Sequence, residues 1–359
     1  MFDKSIELVK SGIGTAYPCA AVAVGVGYNV FVREYFGLRE EMPERLNITE
    51  DTLFDIASLS KLVSTTMIAF KFIDSGKISL NDKLDKYLDY VGNYGDCEII
   101  NLLTHTSGLP AGIPLYAEAF KNIDPLKAIL DSEKCYQTGE KVIYSCMGYI
   151  VLQYVLEKVG GASLDELAKR YVFGPLNMKD TCYNPENLAN KGIVKPIAAT
   201  ERYSFSGEWA TGHVHDENAY FLGGAAGNAG VFSTLGDLIS FAGMCSQKGK
   251  LKNGETYLSK EIFEKAIYNY TEGKGDSRGL GFQLKGNTEF PAGEVLPSGS
   301  YGHTGFTGTS IYVDSNTGLW GILLTNAVHY GRENRANYFA LRKSFYNSIV
   351  KEYESMKLE

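Results

Sequence analysis

The sequence predicts a mixed α/β (α+β) fold in which the two chain ends build one helix-flanked sheet and the middle forms a mainly helical part. Three observations predict it. Residues of β type collect near both ends, at 20–37 and again at 279–325, and a helical pattern lies outside each stretch. Between them, residues 78–265 mix short helical patterns with long loops and show no sustained strand alternation. At 359 residues the chain also exceeds a typical single core. The expected division is therefore discontinuous, with 1–77 and 266–359 as the sheet domain, 78–265 as the helical domain, and the active site in the cleft between them.

Taken in order, MFDKSIELVKSG reads as an amphipathic first helix. The run from Ala20 to Phe31 is rich in Val and Ala, Val32 to Gly37 continues in β-type residues, and a turn near Gly27 to Asn29 makes the pair a hairpin. From Leu59 onward, apolar residues at 59, 62, 63, 67, 70 and 73 predict a buried helix that starts at Ser58 and ends at Ser75-Gly76. Helical patterns follow over Gly148 to Val159, Ser163 to Phe173 and Asp237 to Cys245. Strands are expected at Gly279 to Leu284, Gly308 to Val313 and Leu319 to Thr325, before a last helix from about Asn334 to Tyr353.

Composition excludes several classes of function. With 44% hydrophobic and 21% charged residues, the chain can bury a full core and is not disordered. Its net charge of −7 is spread out, and no Lys/Arg block traces a phosphate backbone or an anionic lipid surface, so nucleic acid is not expected as a partner. No apolar run approaches the roughly 20 residues that span a bilayer, and the first residues do not resemble a leader. Six cysteines (Cys19, Cys97, Cys135, Cys146, Cys182 and Cys245) lack metal-ligand spacing and are too sparse for a disulfide scaffold. Free thiols and a cytoplasmic location are the expectation.

Three short motifs carry chemistry. In Ser58-Leu59-Ser60-Lys61, residues three apart share a helix face, so hydroxyl and amine converge at a helix start. The first-turn dipole favours an alkoxide and disfavours an ammonium, which suits a serine nucleophile and a lysine proton acceptor. The tetrapeptide alone is weak, because Ser348-Ile349-Val350-Lys351 repeats it deep inside the last helix, where it reads as surface. A helix N-cap is the structural alternative for Ser58. In Tyr144-Ser145-Cys146 the phenol could serve as a general base; tyrosine ordinarily titrates near pH 10, so the Lys61 cation would have to assist it. Core packing is the ordinary role for any one of 24 tyrosines. In the third motif, His303-Thr304-Gly305-Phe306 leads into a strand: Gly305 would let substrate approach the backbone, and Phe306 N–H would join Ser58 N–H as an oxyanion hole. There His303 and Thr304 would meet an incoming carboxylate or ester.

In this order the trio resembles the SxxK, YxN and KTG or HTG boxes of the superfamily of class C β-lactamases, serine DD-peptidases and family VIII carboxylesterases, which includes penicillin-binding proteins. The resemblance extends over FDIASLSK (Phe54 to Lys61), LLTHTSGLP (Leu102 to Pro110), PLNMKDT (Pro175 to Thr181), GLGF (Gly279 to Phe282) and GHTGFTGTS (Gly302 to Ser310). VHDENA (Val214 to Ala219) and GGAAGNAGVFST (Gly223 to Thr234) resemble the low-molecular-weight DD-carboxypeptidase subgroup, where such a stretch is expected to shape a loop near the cleft, a glycine-rich structural turn being the equal alternative. It implies a β-lactamase/transpeptidase-like antiparallel sheet, Ser58, Lys61 and Tyr144 as catalytic residues, and Cys146, His303, Thr304 and Gly305 as substrate contacts. Cys146 departs from the pattern by standing where the family has Asn, and Asn228 stands where many relatives carry His.

The implied activity is hydrolysis of an ester or amide (a D-alanyl peptide or β-lactam included) through a covalent acyl-enzyme, with no cofactor and no metal. Esters are expected to be turned over better than β-lactams, because a thiol at 146 is a poor partner for an acylamino arm. Rival readings are weaker. His213 and His215, with Asp216 adjacent, are followed by no further zinc ligand at a recognisable spacing, and GxSxG and GxGxxG motifs are absent. A noncatalytic penicillin-binding or sensor module is the remaining alternative, kept open by Cys146.

Overall fold

The computed structural model describes residues 2–358 apart from Pro43, Asn190, Lys191, Ile193, Ser204, Phe205 and Asn334. The N-terminal part contains α1 (Asp3–Ser11), β1 (Cys19–Val26), β2 (Asn29–Glu40), β3 (Leu46–Asn47), β4 (Phe54–Asp55) and α2 (Met67–Asp74). The middle contributes α3 (Ile99–Leu103), α4 (Pro125–Leu130), α5 (Cys146–Gly160), α6 (Leu164–Ala168), β5 (Cys182–Tyr183), α7 (Glu186–Ala189), α8 (Glu217–Phe221), β6 (Val231–Ser233), α9 (Leu235–Ser246) and α10 (Lys260–Ala266). The chain ends with β7 (Gln283–Leu284), β8 (Tyr301–Gly305), β9 (Thr309–Val313), β10 (Leu319–Thr325) and α11 (Ala336–Met356).

Both chain ends meet in one seven-stranded sheet of order β3-β2-β1-β10-β9-β8-β7, antiparallel at every pairing. The hairpin β1–β2 turns at Gly27, whose carbonyl accepts from the buried Trp320 Nε1 at 2.8 Å. A Cβ on Gly25 would lie 2.4 Å from the same indole, so the bulge there must be glycine. Along β1, Cys19, Ala21 and Ala23 join the core on one face while Ala20, Val22 and Val24 join the core on the other. A strand covered on both sides reads as a continuous apolar run, which is what the sequence displays.

One sheet face is covered by α1 and α11, whose Phe345, Tyr346 and Ile349 press so closely on Gly321 that a Cβ there would come within 2.6 Å of Ile349. Each fully buried apolar side chain of this kind contributes roughly 1.5–3 kcal/mol. The other face carries the larger core, built with α2, α5 and α9. In α5, Met147, Tyr149, Ile150, Val151, Leu152, Val155 and Leu156 are all buried, so it is a core helix with apolar residues around most of its circumference.

Three expectations shift. Asn334, the expected start of the last helix, lies outside the described residues; the helix runs Ala336–Met356. The strand expected over Gly279 to Leu284 is confined to Gln283–Leu284. Its glycines instead seat a turn, where a Cβ on Gly279 would meet Ala266 O at 2.1 Å and one on Gly281 would meet Thr66 Oγ1 at 2.3 Å. Finally, the middle stretch does supply strands: β5 and β6 pair with β4 in a small sheet of order β4-β6-β5, with strands too short to show alternation. All six cysteines are unpaired, and among the described residues no helix is long and apolar enough to cross a membrane.

Candidate active site

Ser58 sits on a tight turn between β4 and the first helical residue, Leu59. The preceding Ala57 adopts φ 47°, a left-handed conformation costly for a residue with a Cβ, so the turn must be held from outside. Asp55 holds it from both sides, Oδ1 accepting from Ala57 N–H at 2.8 Å and Oδ2 from His215 N–H at 2.7 Å. Burial raises the Asp55 carboxyl above its ordinary range, against the pull of those two N–H groups. From the other side, Thr307 Oγ1 donates to Asp55 O at 2.7 Å and Thr309 Oγ1 to Ile56 O at 3.0 Å. A Cβ on Gly305 would lie 2.3 Å from Ile56 O. Gly305 is therefore required first by the fold, which packs β8 onto the Ser58 turn, rather than by substrate approach alone.

Past Ser58 the helix widens into a π-type turn over Lys61–Thr66 before α2. Its buried hydroxyls are satisfied across the core: Ser60 Oγ accepts from Val231 N–H at 3.0 Å, and Thr65 Oγ1 donates to Gly227 O at 2.8 Å. Lys61 is fully buried and spends its donors on three acceptors, Ser58 Oγ at 3.0 Å, Asn228 O at 2.9 Å and Cys146 Sγ at 3.4 Å. Burial alone would lower its pKa, but negative charge available on Cys146, Tyr144 and Asp216 outweighs burial, and the net direction is upward. Neighbours that can carry negative charge thus act on Lys61 against both burial and the helix dipole. Ser58 Oγ takes the lysine hydrogen bond rather than capping the helix.

Tyr144 and Cys146 flank Ser145, the N-cap of α5, whose Oγ accepts from Gly148 N–H at 3.2 Å. The Lys61 ammonium lies 5.0 Å from the Tyr144 ring centroid and the Arg278 guanidinium 5.3 Å from it. The buried Tyr144 hydroxyl has no hydrogen-bond partner among the described residues. His303, on β8, is 3% exposed; its Nδ1 donates to Thr304 O at 2.7 Å, leaving Nε2 as an unpartnered acceptor. Burial first, then Arg278 and Lys61, push the His303 imidazolium down to about 3, so the ring is neutral at ordinary pH. It can accept a hydrogen bond from a ligand but offers no positive charge to a carboxylate.

Two clefts share Ser58 and the half-exposed Phe306 in their linings. The first, about 270 Å³, is lined by Ser58, Tyr144, His303, Thr304, Gly305 and Phe306 together with Arg278, Arg335 and Arg342. Thus the residues singled out in the three motifs come together, Lys61 and Cys146 lying directly behind. Arg278 is bonded to Asp276. Arg335 and Arg342, each 7% exposed, have no carboxylate partner among the described residues. Arg335 lies 4.5 Å from the Phe306 ring centroid with its Nε unpartnered, and Arg342 Nε donates to Pro291 O at 2.9 Å. Two buried, unneutralised guanidiniums equip this cleft for an anionic group.

The second cleft, about 170 Å³, is lined by Ala57, Ser58, His215, Asp216, Glu217, Ala229, Phe306 and Arg332. The VHDENA stretch therefore does border the cleft. His215 Nε2 and Arg332 Nε both bond Glu201, at 2.8 Å each, and these contacts outweigh burial to hold the Glu201 carboxyl at about 2. His213 faces a different carboxylate, Glu186, so the two histidines do not converge on one centre. Asp216 Oδ1 caps α8 through Ala219 N–H and accepts from Asn228 Nδ2 at 3.2 Å. Sequence reasoning missed Arg278, Arg335, Arg342 and His105. For the α11 pair a signal existed: positions seven apart share one helix face.

The beta-lactamase family model matches residues 7–344. An N-acetylmuramyl-L-alanine amidase of Bacillus subtilis (strain 168) is 27% identical over 362 aligned positions, covering 90% of this chain and 80% of that protein. Among solved structures, EstCE1, described as a hydrolase with promiscuous acyltransferase activity, is similar with a TM-score of 0.75 at 19% identity, over 97% of this chain and 98% of that one. The octameric penicillin-binding protein homologue from Pyrococcus abyssi gives 0.71 at 21% identity, over 93% and 75%. The structural likenesses establish the fold, and with the family match over nearly the whole length they lead to one conclusion: this chain belongs to the beta-lactamase family, and with it to the hydrolases.

Proposed function

We propose that the protein is a serine hydrolase that cleaves an ester or amide through an acyl group carried on Ser58. The observation that carries this reading is the 3.0 Å contact between Lys61 Nζ and Ser58 Oγ beside an unpartnered Tyr144 hydroxyl. In the proposed division of the chain, Ser58, Lys61 and β8 come from the part formed by 1–77 and 266–359. Tyr144 and Cys146 come from 78–265.

Acylation begins as the Ser58 proton passes to the Lys61–Tyr144 pair and Oγ attacks the carbonyl carbon. For this the pair must hold one proton fewer than an ammonium plus a phenol, so that the Ser58 proton finds a site on Lys61 Nζ or Tyr144 Oη. The Ser58 and Phe306 N–H groups, neither of which donates a hydrogen bond among the described residues, would hold the developing oxyanion. The pair returns its proton to the departing oxygen or nitrogen. Water then repeats the sequence on the ester of Ser58, releasing the acid and restoring the serine. No step requires a cofactor.

Arg335 and Arg342 favour a substrate that carries a carboxylate, such as a peptide ending in a free carboxyl group, over a plain neutral ester. A fluorophosphonate probe followed by peptide mapping tests the nucleophile. Label is expected on Ser58 and absent in Ser58→Ala; label that persists in Ser58→Ala would overturn the assignment.

A further inference from the structure

We propose that His105 is a positioning residue for Tyr144, gripping the backbone on both sides of it and backing its ring. The inference rests on the role given to Tyr144 above. His105 O accepts from Ile143 N–H at 3.1 Å, and His105 Nδ1 accepts from Ser145 N–H at 3.1 Å, so one residue holds both neighbours of Tyr144. The His105 ring lies 4.5 Å from the Tyr144 ring and 5.2 Å from the Tyr149 ring, centroid to centroid.

His105 is itself over-determined. Its φ of 59° is left-handed, its side chain is 2% exposed, and Tyr136 Oη donates to its carbonyl at 3.0 Å. A left-handed residue that is not glycine costs on the order of 1–3 kcal/mol unless its surroundings hold it. That conformation directs carbonyl and imidazole toward the same short segment. The following residues extend the support, Pro110 O accepting from Ser145 Oγ at 2.7 Å and Ala111 O from Cys146 N–H at 2.9 Å. The LLTHTSGLP stretch thus forms a brace behind Tyr144-Ser145-Cys146.

The tautomer follows from the bonds. With Nδ1 accepting, the ring proton is on Nε2, a buried donor without a partner among the described residues. Burial, followed by the charges of Arg278 and Lys61 and by His303, pushes the imidazolium far below its usual range, against the bond from Ser145. The groups facing it are Tyr144, Tyr149, Lys61, Arg278 and His303, and His105 works among them as a neutral ring. Its role is therefore geometric, and misplacement of the phenol by a fraction of an ångström is the expected consequence of its loss.

Three variants separate geometry from mere folding. Asn accepts from Ser145 N–H through Oδ1 and tolerates left-handed φ; Gly tolerates the φ but lacks the acceptor; Ala lacks both. Turnover of an aryl ester by His105→Ala and His105→Gly should fall on the order of a hundredfold in kcat with little change in KM. Thermal melts should show His105→Gly to be the more stable of the two. His105→Asn should recover most of the lost rate, with the shape of the pH–rate profile unaltered.

If kcat followed stability, with His105→Gly near wild type, the positioning role would be overturned. Loss of an acid limb in His105→Asn would overturn it too, since the ring would then be titrating. Tyr144→Phe serves as the control. Full activity there would remove the proton-transfer reading on which this inference stands, whereas an inactive Tyr144→Phe beside a fully active His105→Gly would overturn the His105 role alone.

Discussion

The chain contains Ser-x-x-Lys twice, and the two copies differ in almost everything except spacing. Ser58 precedes the first helical residue and Lys61 is wholly buried, with three acceptors around its ammonium. Ser348 lies mid-helix in α11, bonded to Glu352 at 3.1 Å, and Lys351 is exposed. Spacing of three guarantees only that two side chains share a helix face. What distinguishes the Ser58 copy is supplied from outside the tetrapeptide: the strained Ala57 just before it, the carbonyl of Asn228, the Tyr144 loop and Gly305 of β8 against Ile56. The difference teaches that the setting of Ser58 is a property of converging segments rather than of four residues.

The sharpest way to break this comparison is to remove the two lysines separately. Lys61→Ala and Tyr144→Phe should each lower kcat on the order of a thousandfold or more, and the double variant should lose little further, because the pair acts on one proton as a unit. Lys351→Ala should leave turnover within about twofold of wild type, as expected of a surface change. Steady-state kinetics on a neutral aryl ester decide it. Equal losses at both lysines would show that the surroundings of Lys61 contribute nothing specific.

A smaller effect separates two faces of α11 itself. The helix carries the inert Ser348 and Lys351 on one side, while Arg342 on its inner face and Arg335 at its N-cap turn toward the cleft beside Ser58. A hydrogen bond to a charged group is worth roughly 1.5–3 kcal/mol, so Arg335→Ala should lower kcat/KM for a carboxylate-bearing substrate about ten- to a hundredfold. The neutral ester serves as its internal reference, because Arg335 also packs on Phe306 and Phe339. Parallel loss on both substrates would assign Arg335 to packing alone.

The legibility of this protein in its sequence follows the same division. The β1–β2 hairpin and β10 were readable because local patterning and tertiary burial agree there; the expected Leu319 to Thr325 is the observed strand. The motifs around Ser58 and Tyr144 were readable because each stands at a helix start, whereas the His303 motif, expected to lead into a strand, itself forms β8. His105 was not, since its role depends on a left-handed backbone and a bond to Ser145, neither of which has a sequence period. Nor were the surroundings of Lys61 readable, since Cys146 and Asn228, which it contacts, lie far away in sequence. The short strands β4, β5 and β6 escaped notice because two or three residues cannot display alternation.

The smallest expected effect lies in the third acceptor of Lys61, a partner that Lys351 lacks entirely. Cys146 Sγ sits 3.4 Å from the ammonium, and a thiol is a much weaker acceptor than an amide oxygen. Cys146→Asn places an amide at the first residue of α5, where Oδ1 can accept a hydrogen bond from Lys61 Nζ and Nδ2 can face the cleft. A substrate with an acylamino arm gains a partner from that Nδ2; a simple ester, which needs only nucleophile and oxyanion donors, gains none. A net neutral hydrogen bond contributes about 1 kcal/mol, so kcat/KM for a D-alanyl-D-alanine peptide or a cephalosporin should rise about fivefold in Cys146→Asn. Ester turnover should stay level. Because Lys61 keeps two stronger acceptors in Ser58 Oγ and Asn228 O, its position should not change, and a crystal structure of the variant can check this. A uniform gain on all three substrates would mean that the amide acts through Lys61 rather than on the acylamino arm. No gain on the peptide or cephalosporin would show that the thiol costs this site nothing.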